Sequence, residues 1–268
     1  MSSSPRMPVA FVPHAGGPIT HVELGFPEEE TAAFARYWRS LRELPRTPPK
    51  AVLAVSAHWE RPSPTVMSAS RPPMFYDYGG FPPEAYQLTW PSPGAPELAG
   101  RVRDLLGKSG FSTDADPVRG YDHGTFTPLK QTYPDADVPV IQLSLVRGLD
   151  AAQHVAMGRA LAPLRDEGVF IVGSGDTFHN MGAFGRGGVL ERSREFDGWL
   201  TALVTGPADA RDRGLERWVE GPNARFCHPR EEHLIPLMVV AGAAGADVGV
   251  KTFTGEFMGS QQTGYHFG

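Results

Sequence analysis

The chain has 268 residues, 41% of them hydrophobic, a formal net charge of -5 at pH 7 and a single cysteine, Cys227. That length can fill one large α/β core or two small ones, while the acidic balance and the absence of Lys/Arg clusters argue against a nucleic-acid partner. One cysteine excludes a disulfide framework and a thiolate-rich zinc knuckle, so any metal chemistry must use nitrogen and oxygen ligands.

The N-terminal MSSSPRMP lacks the zones of a secretory signal, and the longest apolar run, PLMVVAGAAGA, is too short and interrupted to span a bilayer. The expectation is a cytoplasmic protein with no membrane partner. Short β-branched runs place strands at 8–12, 51–57, 138–145, 169–175 and 247–253, and helical spacing places helices over 28–43, 96–109, 151–167, 189–205 and 229–244. This alternation predicts a single α/β domain over 1–268, with a central, mainly parallel or mixed sheet flanked by helices. Pro, Gly and aromatics crowd 71–96, which reads as a long ordered loop over a pocket. Segment 119–137 opens with a turn and has room for a short helix. Loop 71–90 and the C-terminal GSQQTGYHFG are expected to line the pocket, although the aromatics of that loop also fit plain packing.

Three histidines fall past strand carboxyl ends: His14 after 8–12, His58 after 51–57, and His179 a few residues after 169–175. Open α/β sheets bind ligands at those ends. Imidazoles converging from separate strands can hold a divalent transition metal, because neutral nitrogen suits zinc and ferrous iron. Gly16 and Gly17, like Gly173 and Gly175, are expected to let backbone approach a ligand. Asp122 and Asp176 are candidate carboxylates behind the histidines. In HPREEHLIPLMVVAGA, 228–243, a helix would bury Leu234, Leu237, Met238 and Ala241, set Glu231 and His233 beside that stripe, and turn Glu232 away. His233 or Glu231 is then the next candidate ligand, with Glu232 open until the helix start is known. His21, His154, His228 and His266 read as structural or solvent-facing, and Cys227 has no identifiable base to make it a nucleophile.

Six motifs, PHAGGP, SAHW, YDHGTFTPL, PVIQLSL, GSGDTFHNM and REEHLIPLMVVAGA, occur in this order across nearly the whole chain. Together they resemble the class III extradiol ring-cleavage dioxygenases, and GGFPPEAYQLTWPSPGAPELA is similar to the branch called 4,5-DOPA extradiol dioxygenase-like. The resemblance implies a mononuclear site of His14, His58 and His233 that uses Fe(II) for activity and can carry zinc as purified. It implies His179 as catalytic base or fourth ligand, and His123 as a second active-site histidine that hydrogen-bonds substrate or oxygen. Its partners would be a small aromatic diol and O2, with a homo-oligomer compatible. Ala15 stands where many relatives carry glycine. A zinc hydrolase with His179 as base, and a metal-binding or interaction protein without redox chemistry, are the competing readings of the same residues.

Overall fold

The apolar runs of the sequence become the interior strands of one sheet in a computed structural model that describes residues 5–268. In chain order the strands are β1 (Val9–Pro13), β2 (Ala51–Arg61), β3 (Thr65–Met67), β4 (Asp114–Asp116), β5 (Val140–Val146), β6 (Val169–Gly175), β7 (Gly249–Phe257) and β8 (Ser260–Phe267). They lie in the order β4-β3-β5-β2-β6-β1-β8-β7. The central four, β5, β2, β6 and β1, run parallel, so their carboxyl ends share one rim. Every residue of β1, β5 and β6 is buried, as a sheet covered on both faces requires.

β8 pairs antiparallel with β1 and β7 and makes the sheet mixed. Its polar stretch SQQT hides it from a hydrophobic reading. Those residues are tolerated inside because they are bonded: Gln262 accepts the Thr177 N–H at 3.0 Å and donates to the Phe178 carbonyl at 2.8 Å. β3 and β4, of three residues each, are too short to carry a period.

Helices α1 (Glu28–Ser40), α2 (Pro96–Lys108), α3 (His123–Thr132), α4 (Ala151–Leu161), α5 (Val189–Val204), α6 (Ala208–Glu216), α7 (Ala224–Cys227) and α8 (Ile235–Ala244) complete the fold. No helix among the described residues is long and apolar enough to cross a membrane. The expected helix over 229–244 starts only at Ile235. Before it the chain turns, and the amides of Leu234 and Ile235 both return to the Glu231 carbonyl, at 2.8 and 3.0 Å. Nor does α8 have a single apolar stripe, since all ten of its residues are buried. Two buried arginines from other elements satisfy its last carbonyls. Arg165 donates to Ala243 and Ala244 at 3.1 and 3.0 Å, and Arg211 donates to Ala241 and Gly245 at 2.9 and 2.8 Å.

Two irregularities aim side chains at the rim. β2 runs on to Arg61, so His58 lies within the strand instead of beyond it; the pairing with β5 slips between Val55 and Glu60, and this bulge redirects His58. In α3, Asp122 caps the first turn by accepting the Thr125 N–H at 3.0 Å. Further along, Pro128 has no N–H to offer the carbonyl of Gly124, four residues back.

Candidate metal centre

Pro13 ends β1 with its carbonyl bonded to Trp38 Nε1 at 2.9 Å, and His14 follows, fully buried. His14 Nδ1 lies 2.9 Å from the hydroxyl of Ser174 on β6. That hydroxyl donates to the Gly124 carbonyl left free by Pro128. It must therefore accept from Nδ1–H, which leaves His14 Nε2 with its lone pair. His58 Nδ1 faces Asp77 Oδ2 at 3.3 Å, and His233 Nδ1 faces Glu232 Oε1 at 3.0 Å. Glu232 holds the His233 ring proton on Nδ1 by a hydrogen bond, and the negative charge of Asp77 favours the same tautomer of His58.

Three lone pairs consequently point at one another. His58 Nε2 is 3.0 Å from His14 Nε2 and 3.3 Å from His233 Nε2. With no proton to share, these contacts repel unless a cation lies between them. Metal–nitrogen bonds of about 2.0–2.1 Å, meeting at roughly 90–110°, separate the nitrogens by about 3.0–3.4 Å, so the donor set fits a divalent ion. Burial, followed by repulsion from the neighbouring imidazoles, lowers the His14 pKa well below the ordinary value; burial does the same to His233. His58 is pushed down to about 3, by burial first and then by His123. The neutral imidazole that results is the ligating form.

Each carboxylate also holds a second histidine. Asp77 Oδ1 accepts from His123 Nδ1 and from the His123 backbone N–H, both at 2.9 Å. Glu232 Oε1 lies 3.2 Å from His179 Nδ1. Burial works upward on Asp77, yet the hydrogen bond and charge of His123, then His58, outweigh it and hold the acid at about 2. Burial likewise opposes ionisation of Glu232, and the bonds from His179 and His233 override it and lower its pKa. Both stay ionised acceptors, so His123 and His179 keep Nε2 free. The His179 ring stacks on His233 with centroids 3.3 Å apart, and His123 lies 4.0 Å from His58. Above them opens a cavity of about 450 Å³ that both histidines line.

Residues 8–268 match the family described as the catalytic LigB subunit of aromatic ring-opening dioxygenase. The chain belongs to the LigB family. It is thus an oxidoreductase, an extradiol ring-cleaving dioxygenase of a metal-dependent family. A 4,5-DOPA dioxygenase extradiol of Beta vulgaris is 41% identical, over 88% of this chain and 86% of its own length. The Escherichia coli (strain K12) protein of the same name is 36% identical over 90% and 86%. Dioxygenase tasH of Hapsidospora irregularis is 35% identical over 97% and 85%. A crystal structure of an uncharacterized protein from Escherichia coli K12 superposes with a TM-score of 0.80 at 31% identity, covering 98% of this chain and all of that one.

In this LigB-family chain the structure brings His14, His58 and His233 into one trio whose ligand atoms lie within 4.8 Å of one another; His179 groups instead with Glu232 and His233. The helical-face argument against Glu232 fails because 231–233 form a turn, which lets both Glu232 and His233 face the site. Glu231 turns outward to Arg225 at 2.6 Å. Asp122 does not touch the His123 ring; it is bonded to Ser56, Gln142 and Arg119 at 2.7, 2.7 and 2.6 Å. Asp176 stands 3.6 Å from His14 Nε2. His21, His154 and His228 each bond a backbone group, as structural histidines do.

Gly16 and Gly17 line the cavity beside the histidines, as backbone open to a ligand would, and rings of its wall pack close against them. A Cβ on Gly16 would lie 2.9 Å from Phe257, and one on Gly17 2.6 Å from Phe81, so aromatic rings of the cavity wall fill those spaces. Ala15 takes φ 54°, in the left-handed region that glycine occupies more readily. At Gly175 a Cβ would meet the His233 carbonyl at 2.0 Å. Gly175→Ala must displace the backbone that carries His233, with an expected loss of roughly 1–3 kcal/mol in chemical denaturation and weaker metal retention.

Asp77 and Ser174 escape the sequence reading. A signal for Asp77 exists: it is the one charged residue between Arg71 and Glu84, a carboxylate stranded among aromatics. Asp77→Asn removes the anionic partner of both His58 and His123. Metal affinity, read by chelator competition, is expected to weaken about 10- to 100-fold, whereas an ornamental Asp77 would leave it unchanged.

Proposed function

We propose that this protein is an Fe(II)-dependent extradiol dioxygenase that cleaves the ring of a catechol with O2. The observation that carries the reading is the convergence of three Nε2 lone pairs beneath an aromatic cavity into which two further histidines present free Nε2 atoms. Several relatives are named for 4,5-DOPA, and that supports a catechol as the substrate.

His14, His58 and His233 would hold the ion. When bound, Fe(II) supplies a place where catechol and dioxygen meet and a route around the spin barrier between them. The chain's own groups handle protons and water. His179 takes a proton from a catechol hydroxyl at Nε2, and Glu232 at its Nδ1 stabilises the imidazolium so formed. His123, fixed by Asp77, hydrogen-bonds a substrate oxygen. The phenylalanine walls keep bulk water from the reacting groups.

Anaerobic Fe(II) loading followed by oxygen-electrode measurements on a panel of catechols tests this. The expected result is stoichiometric O2 uptake with a yellow ring-fission product. Hydrolysis by the zinc form, with no oxygen uptake by the iron form, would overturn it. Zinc in the purified protein decides nothing, because zinc outcompetes ferrous iron for nitrogen ligands.

A further inference from the structure

The cavity changes character with height. At its floor are the histidines and Asp176; its walls are built from Phe26, Phe81, Phe184 and Phe257, and Met181 and Met258, 69% and 39% exposed, flank the mouth. Phe257 lies 5.1 Å from Phe26 and 6.1 Å from Phe184, ring centre to ring centre, so these three rings form one continuous aromatic surface. No lysine or arginine lines it among the described residues.

The polar side chains that do reach the walls are already engaged. Tyr78 donates its hydroxyl to the Ala85 carbonyl at 2.6 Å. Gln262 uses both ends on the backbone of Thr177 and Phe178. Asp176 lies at the floor and accepts the Ala15 N–H at 3.2 Å. The free Nε2 atoms of His123 and His179 sit at the floor, where the two catechol oxygens belong.

A ring substituent directed up this cavity therefore meets aromatic and thioether side chains and no cationic side chain among the described residues. A carboxylate there would lose water without gaining a cationic partner, whereas each buried methylene strengthens binding roughly fourfold. We propose that the preferred substrate is a catechol carrying an uncharged, apolar alkyl or aryl substituent, and that the wall of Phe81, Phe257 and Met181 selects against an anionic side chain. This rests on the ring-cleavage reading.

The test pairs 4-propylcatechol with 3-(3,4-dihydroxyphenyl)propionate, the same skeleton ending in a carboxylate. Oxygen uptake by the iron-loaded protein gives kcat/KM, and anaerobic calorimetry on the metal-loaded protein gives affinity independently of turnover. We expect kcat/KM for 4-propylcatechol to be at least about tenfold higher, chiefly through KM, with a matching difference in affinity. Met181→Arg should narrow or reverse the ratio by supplying the missing cation. Equal or opposite preference in the wild type, or a ratio unmoved by Met181→Arg, overturns the proposal while leaving ring cleavage intact. Preferential binding of 4-propylcatechol with no oxygen uptake from either compound upholds the pocket's selectivity and sinks the ring-cleavage reading instead.

Discussion

His58→Ala, loaded with Fe(II) and desalted like the wild type, is expected to emerge without stoichiometric metal and without oxygen uptake. Removing one of the three nitrogens of the proposed site takes away a direct bond to the ion, so the loss in affinity should exceed the 10- to 100-fold that outer partners are worth. His58 is the better position for this test than His14, because its side chain is 20% exposed while His14 is wholly enclosed and its truncation would leave a cavity. A circular dichroism spectrum matching the wild type would show that the fold survives. Unchanged metal content in His58→Ala would break the proposed site and, with it, every reading that needs the ion.

The second large effect separates holding the metal from using it. His179 lies outside the trio of converging Nε2 atoms and is fixed through its backbone N–H to the Cys227 carbonyl at 2.9 Å and through Nδ1 to Glu232. His179→Ala should keep its iron and lose about 10²- to 10⁴-fold in kcat, the usual worth of a positioned acid/base group. KM for the catechol should change far less, since no bond to the ion is removed. Full oxygen uptake in this variant would remove His179 from the chemistry. Loss of iron together with activity would instead make it a ligand.

These two experiments probe the parts of the site that differ most in how far the sequence reveals them. His14, His58 and His179 are legible because strand runs and their carboxyl ends are local features: a β-branched run followed by a histidine says where the ring will lie along the chain. The parallel centre of the sheet follows from alternation of strand and helix for the same reason. β8 is not legible, because its glutamines and threonines are buried by virtue of partners such as Thr177 and Phe178, more than eighty positions away.

By itself the sequence determined the α/β class, the four central strands, the rim where a ligand would sit and most of the histidines gathered there. Only the tertiary structure decided what makes those histidines a donor set. The bulge in β2 turns His58 inward, the turn before α8 places both Glu232 and His233, and Pro128 frees the carbonyl that sets Ser174 and hence His14. Backbone preference and polarity are written residue by residue, but the tautomer of an imidazole depends on which acceptor meets its second nitrogen. For His14 and Ser174 that acceptor comes from 160 positions away, brought there by packing alone.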